Sequence, residues 1–158
     1  MTHKDLVPLA AKWLAKEFPI VITEMTSGAL EEPDAIGFRG GFSTLIECKA
    51  SRADFFADFK KGAARRGERM GDKRLYLAPA GMLQLVDLPE RWGLLEVRAG
   101  RRIVEVIPAM HFDDKDYRGE ASLLVSAIRR IGQGAPAGCS VKCYTYETKN
   151  RATLGVST

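Results

Sequence analysis

Cysteine is scarce in this 158-residue chain and histidine scarcer: three cysteines (Cys48, Cys139, Cys143) and two histidines (His3, His111). An odd number of thiols cannot all pair within one chain. No pair has zinc-finger spacing, and neither histidine is near a cysteine in sequence. A disulfide scaffold and a structural zinc are therefore not expected, and a reducing, cytoplasmic setting is. No apolar run reaches membrane-spanning length. Residues 1–18 lack a long apolar segment followed by a small-residue cleavage site, so neither a spanning helix nor a leader is expected. There is no internal repeat, no low-complexity tract and no Walker-type glycine loop, which argues against nucleoside triphosphate hydrolysis of that kind. No helix-turn-helix or zinc finger is present to read a base sequence.

What is present is an ordinary globular composition, 46% hydrophobic and 28% charged, with a formal charge of +4. A mild basic bias permits a polyanionic partner without demanding one. The expectation is one domain over 1–158, with a core over about 5–79, a C-terminal elaboration over about 80–146 and a frayed tail over 147–158.

Residues 5–18 carry Leu6, Leu9, Ala10, Trp13, Leu14 and Ala15 at three- and four-residue spacings, a helix with Asp5 as its cap. Residues 19–26 are short and β-branched, a strand. Residues 34–38 and 42–49 follow as strands joined by Gly40-Gly41, so the three form an antiparallel meander. A helix opens at Ser51, a predicted N-cap, and turns Phe55, Phe56 and Phe59 toward the sheet. Around Gly62 it either breaks or continues. Residues 74–79 form a fourth strand. A strand–helix–strand passage of this length predicts a crossover, with the fourth strand parallel to the third. Residues 82–86 are a short helix or an irregular link. Residues 94–98 and 102–107 predict a hairpin turned at Ala99-Gly100. Residues 119–131 predict a helix with Leu123, Leu124, Ala127, Ile128 and Ile131 inward, and 140–147 an edge strand. The fold class is α/β, a mixed sheet flanked by helices.

The chemistry concentrates in 33–61, PDAIGFRGGFSTLIECKASRADFFADFKK. In the third strand, alternation puts Leu45, Glu47 and Lys49 on one face and Thr44, Ile46 and Cys48 on the other. A charged pair ending an otherwise apolar face calls for a reason. Pairing through the short Gly40-Gly41 link brings Asp34 to the same end. Phosphodiester hydrolysis needs an activated water, an offset for charge on the phosphorane and neutralisation of the leaving oxygen. A divalent cation held by carboxylates supplies the first and last, and a lysine supports the first two. The competing reading is a turn cap at Asp34 and a surface ion pair at Glu47 and Lys49.

PD, a gap, then ECK at the end of the next strand and a helix after it resembles the PD-(D/E)XK nuclease superfamily, and the element order resembles its αβββαβ restriction-endonuclease-like core. The run ECKASRADFFADFKK, with LYLAP and WGLLEV downstream, resembles phage and bacterial proteins related to the MmcB-like DNA-repair branch. The resemblance covers about half the chain. It implies Mg2+ or Mn2+ held by Asp34, Glu47 and the backbone carbonyl of Cys48, with Lys49 as the catalytic lysine. It also implies an upstream acid, for which Glu24 is the candidate and Glu17 the reserve. The activity implied is that of a deoxyribonuclease acting in DNA repair, recombination or phage DNA processing, in a bacterial or phage-infected cell.

After the site, residues 60–74 hold seven bases against Glu68 and Asp72. Lys60, Lys61, Arg65, Arg66 and Arg69 are the candidates for DNA contact, against the plainer reading of a solvated charged face. The rival function is an inactive nuclease-fold protein that binds nucleic acid or a protein partner. One site on a monomer would nick; a duplex cut would suit a dimer.

Overall fold

The computed structural model describes residues 1–62, 69–133 and 140–143. Helix α1 (His3–Leu14) precedes the meander β1 (Ile20–Thr23), β2 (Ala35–Arg39) and β3 (Phe42–Cys48). Helix α2 (Arg52–Gly62) crosses to β4 (Lys73–Pro79), followed by β5 (Gly93–Arg98) and β6 (Arg102–Ile107). Helix α3 (Tyr117–Gln133) and β7 (Ser140–Cys143) complete the described elements. The strands make one seven-stranded sheet, in the order β6-β5-β4-β3-β2-β1-β7. β3, β4 and β5 run parallel and the other pairs antiparallel, so the expected mixed sheet, meander, crossover and hairpin are all present.

Strand alternation divides the core in two. Ile36, Leu45, Tyr76 and Leu94 face α2 and α3, meeting Phe55, Leu123 and Ala127. Ile46, Cys48, Leu75, Leu77 and Leu95 face α1, meeting Leu6, Val7, Ala10 and Leu14. Both faces of β3 and β4 are therefore covered, which is why those strands read as nearly continuous apolar runs.

Several boundaries differ from the sequence expectation. α1 starts at His3, not Asp5. Thr2 leads it, and the Thr2 N–H and hydroxyl both donate to Asp5 at 2.8 and 2.9 Å. On α2 Phe55 enters the core while Phe56 is exposed, and the side chain of Phe59 lies outside the described ones. Adjacent helix positions lie ~100° apart, so one phenylalanine pointing inward turns the next aside. On α3, Leu123 and Ala127 are buried, but Ile128 and Ile131 are exposed, against expectation. The sheet takes a narrower stripe than the apolar pattern offers.

A buried charged cluster fastens α3 to the start of β3. Lys115 Nζ lies 2.6 Å from Asp72 Oδ2 and 3.2 Å from Glu120 Oε2, with its side chain only 1% exposed. Ser43 joins it, its hydroxyl 2.5 Å from Glu120 Oε1 and its N–H donating to Asp72 at 2.7 Å. Every charge there has a partner, which is what makes burial of the cluster tolerable.

Candidate active site

The opposite end of β3 gathers the candidate residues. Ala35 pairs with Ile46, and one further step of that register sets Asp34 across from Glu47. Glu47 shares the face of Leu45, and Lys49 follows two residues on. The backbone stays strand-like there, because the Lys49 N–H donates to the Leu77 carbonyl at 2.9 Å. Lys49 Nζ stands 3.5 Å from Glu47 Oε2, and their side chains are 7% and 10% exposed. This is a buried ion pair, not the surface pair of the competing reading.

Asp34 is fixed by the strand beside it. Its Oδ2 accepts the Cys48 N–H at 2.7 Å, and its backbone carbonyl accepts the Glu24 N–H at 3.2 Å. Burial pushes the Asp34 carboxyl above its ordinary range, while the Cys48 N–H, His3 and Lys49 pull the other way. Burial, reinforced by Asp34 and Glu47, also pushes the Cys48 thiol far up, so it stays protonated and is no nucleophile.

Glu24 follows β1 directly and lies in the left-handed region, with φ +47°. A non-glycine residue there carries strain of order 1 kcal/mol or more. The conformation goes with a side chain turned back toward the site. Glu24 Oε1 lies 3.4 Å from His3 Nε2, which is in turn 3.5 Å from Asp34 Oδ1. The other nitrogen of that ring, Nδ1, is 3.3 Å from the Cys48 carbonyl oxygen. His3 is the site residue that sequence reading missed. Starting the helix at Asp5 left His3 outside every expected element. The available signal was that the helix must lie on the second and third strands, which brings its first turn over their ends. Glu17, the reserve acid, is exposed beyond the other end of α1. A 12-residue helix separates it from His3, about 18 Å at 1.5 Å per residue, so it does not belong to this site.

Ser51 caps α2 as expected, its hydroxyl accepting the Asp54 N–H at 3.1 Å. Of the basic candidates, Lys60 and Lys61 lie on the last turn of α2, and Arg65 and Arg66 fall outside the described residues. Arg69 is engaged in packing. Its Nη1 is 3.4 Å from Glu31 Oε1 and its guanidinium lies 5.2 Å over the Trp92 ring. Tyr76 and Trp92 stack on each other at 4.5 Å within the core and do not face a ligand.

The donors at this end are hard oxygens: the Asp34 and Glu47 carboxylates and the Cys48 carbonyl, which retains a second lone pair beside His3. Among the described residues no three His, Cys, Asp or Glu side chains form a metal cage. Magnesium binds through one or two carboxylates completed by water and phosphate oxygens, so this donor set fits it and Mn2+ without such a cage.

No family model matches the chain, and no curated protein matches it. A solved structure, the SPO1766 protein of unknown function from Silicibacter pomeroyi, is similar with a TM-score of 0.57 and 23% identity, covering 82% of this chain and 91% of that one. At that identity the likeness concerns the fold alone.

Proposed function

We propose that this chain is a Mg2+- or Mn2+-dependent deoxyribonuclease of the PD-(D/E)XK type. The observation that carries the reading is the placement of Asp34 opposite Glu47 with Lys49 one alternation beyond, all at one end of the sheet and largely withdrawn from water. Two acids and an amine are not gathered there by packing needs, since each would be solvated more cheaply at the surface.

Asp34, Glu47 and the Cys48 carbonyl would hold the cation. When bound, it would supply a nucleophilic water near neutral pH and neutralise the leaving oxygen. The chain's own groups do the rest. The Cys48 N–H orients the Asp34 carboxylate, and the Asp34 carbonyl ties down Glu24. His3 Nδ1 lies 3.3 Å from the Cys48 carbonyl oxygen and helps to hold it in place. Lys49, already beside Glu47, directs its ammonium toward the phosphate, where it orients the water and offsets charge on the phosphorane. α2 starts just after Lys49, and the N–H groups of its first turn suit a phosphate oxygen. Lys60, Lys61, Arg65 and Arg66, which follow in sequence, are the proposed DNA contacts. DNA repair, recombination or phage DNA processing is the setting that the resemblance supports.

A second reading, an inactive fold that binds nucleic acid or a protein partner, is favoured by the same His3. Its Nε2 takes up the outward oxygens of both Asp34 and Glu24. One experiment separates the two. Purified protein is incubated with single-stranded, duplex and branched DNA, in Mg2+ or Mn2+ against EDTA, beside Glu47→Gln. Metal-dependent cutting that Glu47→Gln abolishes supports the nuclease. DNA binding without cutting, unaffected by EDTA, replaces it with the binder.

A further inference from the structure

The ring of His3 lies against the oxygens that the proposed cation would need. One oxygen of Asp34 is already engaged, because Oδ2 accepts the Cys48 N–H at 2.7 Å. That leaves Oδ1 for a metal, and Oδ1 is the oxygen that His3 Nε2 approaches to 3.5 Å. The same Nε2 is 3.4 Å from Glu24 Oε1, and Nδ1 is 3.3 Å from the Cys48 carbonyl oxygen. A single side chain thus meets two carboxylates and the backbone donor of the site.

These contacts are loose. A ring nitrogen has at most one hydrogen to give, and Nε2 faces two oxygens with it. Both distances exceed those of a well-made charge-assisted hydrogen bond. Mg2+ would draw the same oxygens in to about 2.1 Å. Nor does the ring belong to a ready ligand set. Among the described residues no three His, Cys, Asp or Glu side chains form one, and Mg2+ and Mn2+ favour carboxylate, carbonyl and water over imidazole. The ring also has somewhere to go. His3 is the first residue of α1 and its side chain is 38% exposed. Thr2 secures that helix start by donating to Asp5, so a turn of the His3 side chain into water leaves the helix intact.

We propose that His3 is a displaceable plug over the cation position. It holds Asp34 and Glu24 in the metal-free protein and withdraws when Mg2+ or Mn2+ enters. The plug rests on the nuclease reading in that it takes Asp34 as a metal ligand. Only molecules with the ring withdrawn can accept the cation, so a ring in place about nine-tenths of the time weakens binding about tenfold.

The test is Mn2+ binding to the full chain, read by electron paramagnetic resonance of the free ion, for wild type and His3→Ala at one pH. His3→Ala should keep the wild-type circular dichroism and bind Mn2+ at least threefold tighter. Equal binding would overturn the plug, and weaker binding would overturn it by making the ring a ligand. A second measurement needs no variant. The chain has two histidines, so in imidazole NMR of wild type His111 serves as the reference for His3. On saturation with Mg2+ the His3 ring should lose its proton cross-relaxation to the Glu24 side chain, while the His111 signals stay in place; cross-relaxation retained at saturation would overturn the plug. DNA cutting is scored separately. Tighter Mn2+ binding by His3→Ala without cutting by either form refutes the nuclease and leaves the plug. Cutting with equal Mn2+ binding refutes only the plug, and no metal bound by either form refutes both.

Discussion

Replacing Lys49 by Met keeps the length of the side chain and removes only its charge. Glu47 then stays in a place where its side chain is 10% exposed, without the ammonium 3.5 Å away. Breaking one side of a buried pair costs about 3–5 kcal/mol, because the remaining charge loses its partner and does not regain water. The 3.5 Å separation argues for the lower end, about 3 kcal/mol. For a chain of this size that lowers Tm by about 6–12 °C, at 2–4 °C per kcal/mol. The assay is urea unfolding followed by fluorescence of the buried Trp92, with Glu47→Gln and the double variant beside it. Lys49→Met combined with Glu47→Gln should recover most of the loss, since neither member of the pair then stays charged while the other is neutral. A Lys49→Met variant as stable as wild type would refute the buried pair. The same arithmetic bears on activity assays: loss of cutting in a Lys49 variant is informative only below its own melting range.

Four further outcomes are expected. Asp34→Asn should not lower Tm at neutral pH, because burial raises the Asp34 pKa and so disfavours its charged form in the folded state. Mn2+ at a hundredfold its Kd should stabilise wild type by about 2.7 kcal/mol in a thermal shift and leave Asp34→Asn unmoved; an equal response in both would remove Asp34 from the metal site. Gly37→Ala places a Cβ 2.6 Å from Phe18 Cγ and should cost about 1–3 kcal/mol, whereas Gly28→Ala, with nothing within 4 Å, should be near neutral in the same melts. Burial acts to raise the Asp72 pKa, but Lys115 and Ser43 outweigh it and hold the carboxyl low. Its stabilising effect is full above the ordinary carboxylate pKa and is lost as pH falls through the lowered value. The stability gap between wild type and Lys115→Met should therefore narrow below about pH 4, and a gap constant with pH would count against the pairing.

Strand alternation and connection length made the sheet legible. A glycine pair between two apolar runs forces a tight antiparallel return, and that return puts Asp34 near Glu47 whatever else the chain does. Contacts across long stretches of chain were not legible in this way. His3 meets Cys48 across 45 residues, and Arg69 meets Glu31 across 38. Composition and period do not encode such meetings, so His3 went unseen and Arg69 was expected to face DNA. α3 misled for another reason. Leu123 and Ala127 form one apolar stripe and Leu124, Ile128 and Ile131 another, and a 3.6-residue period does not say which of two adjoining stripes the sheet will take.

Position 24 has a use outside this molecule. Its left-handed backbone is one that glycine adopts freely and asparagine readily, while β-branched side chains are nearly barred from it. On the proposed nuclease reading, with Glu24 as its upstream acid, a lineage released from cleavage would drift there toward glycine, which relieves the strain at once. One that kept the chemistry would retain a carboxylate despite the strain. The residue at this turn, read across descendants of the same ancestor, would sort working copies from retired ones before any assay is run.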